Sequence, residues 1–140
     1  MQNNLAAWMI EKNCYDDAIK LIRESLAIMK NTYGGEHPKV ATVLINLAEL
    51  LRRKGEFVEA EPLYREALRI DKKYFGDDHP EVATDLNNIA GFLIAKRDFN
   101  GAIKVQQEAI EIWKKCLGND HPNVALGLSN LAGMLRDAGK

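Results

Sequence analysis

Apolar residues in this chain recur at steps of three and four, which is the spacing of one face of an α-helix. From about Lys39 to Lys54 the stripe is Val40, Leu44, Leu47, Ala48 and Leu51. From about Phe57 to Tyr74 it is Phe57, Ala60, Leu63, Tyr64, Ala67, Leu68 and Ile70. Gly55 and Gly76 close these two helices, because glycine tolerates the left-handed conformation that ends a helix. Pro62 falls inside the second, where a lost backbone hydrogen bond predicts a slight bend; the apolar spacing runs through it without a break. No stretch alternates with the period of two that marks a strand.

The helix pair then repeats. His-Pro-x-Val-Ala opens at His37, His79 and His121, a constant step of 42 residues. A fixed period of this size is the mark of an array of one supersecondary unit. The second copy carries Val82, Leu86, Ile89, Ala90 and Leu93, then Phe99, Ala102, Ile103, Ala109, Ile110, Ile112 and Trp113, with Gly118 as its stop. A shortened copy precedes them, with Leu5, Ala6 and Met9, then Tyr15, Ala18, Leu21, Ile22, Leu26 and Ile28, closed by Gly34. A lone first helix follows, with Val124, Leu128, Leu131, Ala132 and Leu135. The prediction is an all-α array of about seven helices in units 1–36, 37–78, 79–120 and 121–140. Pro38, Pro80 and Pro122 suit the first helical position, and Glu36, Asp78 and Asp120 are placed to cap the free N–H groups there. Alanines at equivalent points (Ala6, Ala48, Ala90, Ala132; Ala18, Ala60, Ala102) let helix axes approach to about 8 Å.

Composition narrows the function. Nineteen basic residues stand against 20 acidic ones, without long runs of one sign, so neither nucleic acid nor an anionic membrane is the expected partner. No apolar run approaches the roughly 20 residues that span a bilayer, and the first residues lack a signal-peptide pattern. Cys14 and Cys116 therefore read as reduced thiols of a cytoplasmic protein, Cys116 partly buried. His37, His79 and His121 lie one unit apart, roughly two helix diameters of about 10 Å, which is too far for ligands that must each reach within about 2 Å of one ion. Their expected role is to fix the loop and the helix start. No nucleophile–base pair or phosphate loop is recognisable, so the reading is a non-enzyme without a cofactor.

Leu44, Leu47-Ala48, Leu51, Gly55, Phe57, Ala60, Tyr64 and Ala67 match the signature of the tetratricopeptide repeat, and the chain resembles that family over nearly its whole length. The 42-residue step, Asn-Leu-Ala-x-Leu-Leu at 46–51 and Phe/Leu-Gly-x-Asp-His-Pro at the joins are similar to the kinesin light chain type of repeat. Departures are Arg97 at the turn glycine, Gln106 at the inner aromatic and Ser25 at an inner alanine. The resemblance implies a right-handed α-solenoid of antiparallel helix pairs that binds protein segments, as a cargo or adaptor scaffold.

The first helices of such a stack line a concave face. One unpacked position on them is always asparagine: Asn4, Asn46, Asn88 and Asn130. An amide offers a donor and an acceptor, suited either to a peptide backbone or to tying neighbouring helices together. The kinesin light chain resemblance implies peptide contact for Asn46 and Asn88. Ile45, Glu49, Arg52 and Arg53 are expected beside them, with Asn87, Gly91 and Ile94 from the next unit and Gly133 and Arg136 from the last helix. A mid-helix glycine costs about 1 kcal/mol against alanine; room for a ligand side chain and close helix packing both explain Gly91 and Gly133. The arginines can pair with acids on a ligand or simply stand solvated, with Glu49 diluting the local positive field. The expected ligand is a short peptide with an apolar or aromatic anchor and a nearby acid. Trp8 and Trp113 read as packing residues. Apolar residues around Leu5, Met9 and Leu135 leave a second course open, in which the ends join copies or the chain continues a longer array.

Overall fold

A computed structural model describes the backbone of residues 4–139 and the side chains of residues 14–139. Six helices follow one another: α1 (Asn4–Tyr33), α2 (Pro38–Lys54), α3 (Phe57–Phe75), α4 (Pro80–Ala95), α5 (Phe99–Leu117) and α6 (Pro122–Asp137). No strand occurs among the described residues. Each helix packs chiefly on its chain neighbours, as in a solenoid.

The count of seven becomes six because the first two expected helices are one. α1 runs for 30 residues straight through Asn13, which is in register with the turn residues Gly55 and Arg97. Asn13 lacks the conformational freedom that lets Gly55 turn back at φ +93°. Arg97 does turn, at φ 68°, so packing between α4 and α5 imposes the left-handed conformation there without glycine. Downstream, Asp98 N–H reaches back to the Leu93 carbonyl at 2.8 Å, as Glu56 N–H does to Leu51 at 2.8 Å.

The helix starts are capped by histidine. Nδ1 of His37, His79 and His121 accepts from the backbone N–H two residues on, at 3.1, 3.0 and 3.0 Å. The first two rings also pack on the preceding helix: His37 meets Tyr33 at 4.7 Å, and His79 stacks on Phe75 at 4.2 Å and 19°. The expectation that Glu36 and Asp78 do the capping is corrected, because stronger partners take them. Glu36 receives Arg69 (2.8 Å) and Lys73 (2.9 Å) from α3, and Asp78 receives Lys115 (2.6 Å) from α5. Those cations hold the Glu36 carboxyl down to about 2, the Arg69 hydrogen bond first among the causes. α3 continues through Pro62, as the apolar spacing predicts.

The predicted stripes of α2 and α4 are buried throughout. Tyr64 and Phe92 sit 5.2 Å apart, and Phe57 meets Phe92 edge-on at 5.9 Å. Around them Ala48, Ala60, Ala90 and Ala102 are wholly enclosed, which lets the large rings fill the space between closely approached helices. Outer helices depart from the pattern. Leu21, Ile28, Leu128 and Ala132 lie on the expected inner stripes yet are exposed, because among the described residues α1 packs on α2, and α6 chiefly on α5, leaving the far side of each uncovered. Leu135 is half-buried on α6, while Leu5, Ala6, Trp8 and Met9 lie outside the described side chains. Cys116 is exposed rather than partly buried, with its thiol donating to the Asp78 carbonyl at 3.1 Å.

Candidate functional site: the inner groove

α2, α4 and α6 share one face, and the side chains along it form a groove in two connected parts. The larger, about 430 Å³, is lined by Glu49 and Arg52 of α2, Asn87, Asn88, Gly91 and Ile94 of α4, and Ser129, Asn130, Gly133, Met134 and Asp137 of α6. Eight of the residues expected from sequence are thus brought together. Asn88 also lines the smaller part, about 150 Å³, with Thr42, Ile45, Asn46, Asp71, Glu81, Thr84 and Asp85. Arg53 is exposed and lines neither cavity. Asn4 falls outside the described side chains.

The amide row splits. Asn46 is exposed, and Asn88 and Asn130 are half-buried. Asn130 Nδ2 donates to Asn87 Oδ1 at 3.4 Å, which ties α6 to α4. Nothing comes within 4 Å of a Cβ placed at Gly91, and at Gly133 only the Arg136 guanidinium does, at 4.0 Å. Close helix packing therefore explains neither glycine; both open empty space into the groove.

Arg52 is already engaged. Its Nη2 donates to Glu49 Oε2 at 2.6 Å, and Tyr64 donates its hydroxyl to Glu49 Oε1 at 2.9 Å. Partial burial works against the Arg52 cation, but the Glu49 carboxylate more than offsets this and holds its pKa above the usual value. Burial, with Glu49 second, likewise pushes the Tyr64 phenol up. Arg136, its side chain 83% exposed, faces Asp137 at 3.9 Å. Arg52 is thus already paired within the groove, while Arg53 and Arg136 stand exposed to solvent, the other course the sequence leaves open. Against Arg52 the two parts of the groove set Glu49, Asp137, Asp71, Glu81 and Asp85, so the lining is net acidic.

Asp71 and Asp85 were not singled out from sequence. Both are buried, at 5% and 4% exposure. Burial first, then the facing Asp71, raises Asp85 to about 9. A register comparison would have found them. Positions 42 residues away are Met29 and Val43 on one side and Trp113 and Gly127 on the other, so acids stand where the repeat otherwise has apolar or small residues. A larger depression of about 540 Å³ lies between α3 and α5, lined among others by Lys72, Lys104, Glu108 and Glu111. It is a mixed-charge furrow between second helices and holds none of the expected positions.

Paired helices stacked in register, with first helices along one inner face, define an α-solenoid of short helical repeats. The chain belongs to the tetratricopeptide repeat family, which it matches over residues 1–73, 41–91 and 82–140. Two solved structures share the fold. BtubC (BKLC) of P. vanneervenii is 26% identical with TM-score 0.82, covering 91% of this chain and 51% of its own. A kinesin-light-chain-like protein of Podosopora anserina with nearly identical TPR-like repeats is 23% identical with TM-score 0.79, covering 96% of this chain and 64% of its own. This chain thus spans about half of the first and under two thirds of the second. No curated protein sequence matches it. The tetratricopeptide repeats support a protein-interaction scaffold, and the two solved structures share its fold. Among the described residues no helix is long and apolar enough to cross a membrane.

Proposed function

We propose that the chain captures an extended peptide segment of a partner protein along the face formed by α2, α4 and α6, as a non-enzymatic adaptor of the kinesin-light-chain-like kind acting in the cytoplasm. One observation carries this reading: Gly91 and Gly133 open unfilled space into a cavity of about 430 Å³ that amides line from two helices. A mid-helix glycine costs about 1 kcal/mol relative to alanine, and a ligand side chain in that space supplies the offset. The half-buried Asn88 and the exposed Asn46 are placed to pair with a peptide backbone, which fixes the segment without reading its sequence. The net acidic lining favours a basic segment over the acidic one expected from sequence.

A random dodecapeptide display library panned against the purified chain tests the proposal, with recovered peptides synthesised and their affinity followed by fluorescence polarisation. The Asn46→Ala/Asn88→Ala pair and Gly91→Leu are each expected to weaken capture by about tenfold, which is about 1.4 kcal/mol. Unchanged affinity in both variants, or recovery of no peptide, removes the groove from the function. A second reading rests on α6, where Leu128 (47% exposed) and the exposed Ala132 one turn on form an uncovered apolar strip suited to a further repeat or a second copy. Concentration-dependent size in solution that is lost on Leu128→Lys would favour it.

A further inference from the structure

Each complete helix pair closes through one face of its first helix and one face of its second. In the pair α2–α3 the first helix supplies Ala41, Leu44, Ala48 and Leu51, none more than 2% exposed. They pack with Ala60, Leu63, Ala67 and Ile70 of α3. The pair α4–α5 repeats this 42 residues on, with Ala83, Leu86, Ala90 and Leu93 all buried. On α6 the same register holds Ala125, Leu128, Ala132 and Leu135. Among the described residues no second helix covers them: the first three are exposed and Leu135 is half-buried.

α1 lacks the opposite partner. Its residues 14–33 stand in register with α3 and α5, so they form a second helix. One side of it, with Ile19, Leu26 and Met29, packs on α2. The adjoining side holds Ala18, Leu21, Ser25 and Ile28, the counterparts of Ala60, Leu63, Ala67 and Ile70. A first helix covers that side in the complete pairs. Here α1 runs on through Asn13, so no helix folds back to supply the cover. Ile28 is 63% exposed where Ile70 is 0% exposed, and Leu21 is 64% exposed. The described residues thus carry two half-pairs of opposite kind.

We propose that α6 of one copy packs on residues 14–33 of α1 in a second copy, so that the two half-pairs complete one repeat. This rests on the second reading above and names the surface that α6 meets. Three observations favour a second copy as the occupant. First, the contact continues an interface that the chain already makes twice, with alanines of the first helix letting branched residues of the second approach closely. A pairing of α6 with α6, or of α1 with α1, has no such template. Second, no charged residue stands at any of the eight positions, so the pairing buries no ion. The Ser25 hydroxyl can donate to the carbonyl four residues back in its own helix. Third, three second helices (α1, α3, α5) alternate with three first helices (α2, α4, α6), so copies joined in this way continue the alternation without a gap. Such a head-to-tail contact adds copies in series, as rings or open chains. It also carries the groove face of α2, α4 and α6 on into α2 of the next copy.

Sedimentation velocity on the whole chain over a range of concentrations, with two blocked variants, tests the pairing. Leu128→Lys blocks the α6 face, and Leu21→Lys/Ile28→Lys blocks the α1 face. All three positions are exposed, and circular dichroism checks that both variants stay helical. The parent is expected to grow past the dimer as concentration rises. Each variant alone is expected to stay monomeric at concentrations about tenfold higher. Their equimolar mixture is expected to stop at a heterodimer, because each keeps the face that the other lacks. Leu126→Lys, exposed on α6 but off the pairing face, is expected to behave as the parent. A parent that is monomeric throughout, a mixture that fails to pair, or an effect of Leu126→Lys equal to that of Leu128→Lys overturns the pairing. Self-association of the Leu21→Lys/Ile28→Lys chain alone shows α6 meeting α6, which leaves the second reading standing and overturns this inference. Self-association of the Leu128→Lys chain alone sinks both.

Discussion

Asp71→Met/Asp85→Val should stabilise the protein while depriving it of its acidic cavity. The two residues replace a buried acid pair with the side chains present one unit earlier, at Met29 and Val43. Exchanging a buried acid pair for well-packed apolar residues is worth about 1–4 kcal/mol in favour of the folded state, and the adjoining cavity of about 150 Å³ leaves room for the longer methionine. For a chain of 140 residues each kcal/mol moves Tm by about 3–4 °C, so the expected rise is about 3–15 °C near neutral pH. The sign of the pH dependence follows from Asp85. Its folded pKa is raised to about 9, so its contribution is fully present below the pKa of the unfolded carboxyl and is lost as pH rises through the folded value. The variant has no such loss, and its advantage should widen between about pH 5 and pH 8. Urea unfolding followed by helical circular dichroism at several pH values measures both effects. The single change Asp85→Val leaves the Asp71 carboxyl buried among apolar neighbours and should gain less than the pair, which makes the two positions non-additive. A double variant less stable than the parent near neutral pH, or a gap independent of pH, would refute the reasoning.

Two further outcomes come from the same packing facts. Gly91→Ala meets nothing within 4 Å and should stabilise by about 1 kcal/mol through helix propensity, whereas Gly127→Val should lose about 1–3 kcal/mol, because even a Cβ there would lie 2.8 Å from Ile110 Cγ1 and 3.3 Å from the Trp113 ring; urea midpoints compare them. Tyr64→Phe removes the hydroxyl that donates to Glu49 at 2.9 Å and should cost about 1 kcal/mol in the same assay.

Elements α2 to α6 were legible in the sequence almost to the residue, because their ends are written in local chemistry. The His-Pro starts cap and enter the helix, and Gly55, Gly76 and Gly118 leave it with positive φ. α1 was misread because a periodic stripe carries no information on whether the helix stops; that depends on the turn residue, and Asn13 is not one. The groove's outline was legible for a related reason: on helices of known inner face, the polar positions left over must face outward together. The role of Arg52 was not. Its partner Glu49 lies three residues back, and what holds that carboxylate is Tyr64 on another helix. Nor was the acid pair, since sorting residues by apolar spacing passes over an aspartate at a buried position.

The three helix-pair junctions differ at those two positions because the rest of each junction does not need them. Val40, Val82 and Val124 are buried at the start of each first helix, and Ala67 and Ala109 are wholly enclosed on the second helices facing them. With closure secured by these residues, the paired positions 29/43, 71/85 and 113/127 are free to hold a thioether with a valine, two acids, or an indole with a glycine. Where the indole stands, Gly127 is required by space; where the acids stand, neighbouring junctions show that closure makes no demand for them. In a repeat protein the period therefore describes the scaffold, and Asp71 and Asp85 depart from it at buried positions where the neighbouring junctions show no packing demand for acids.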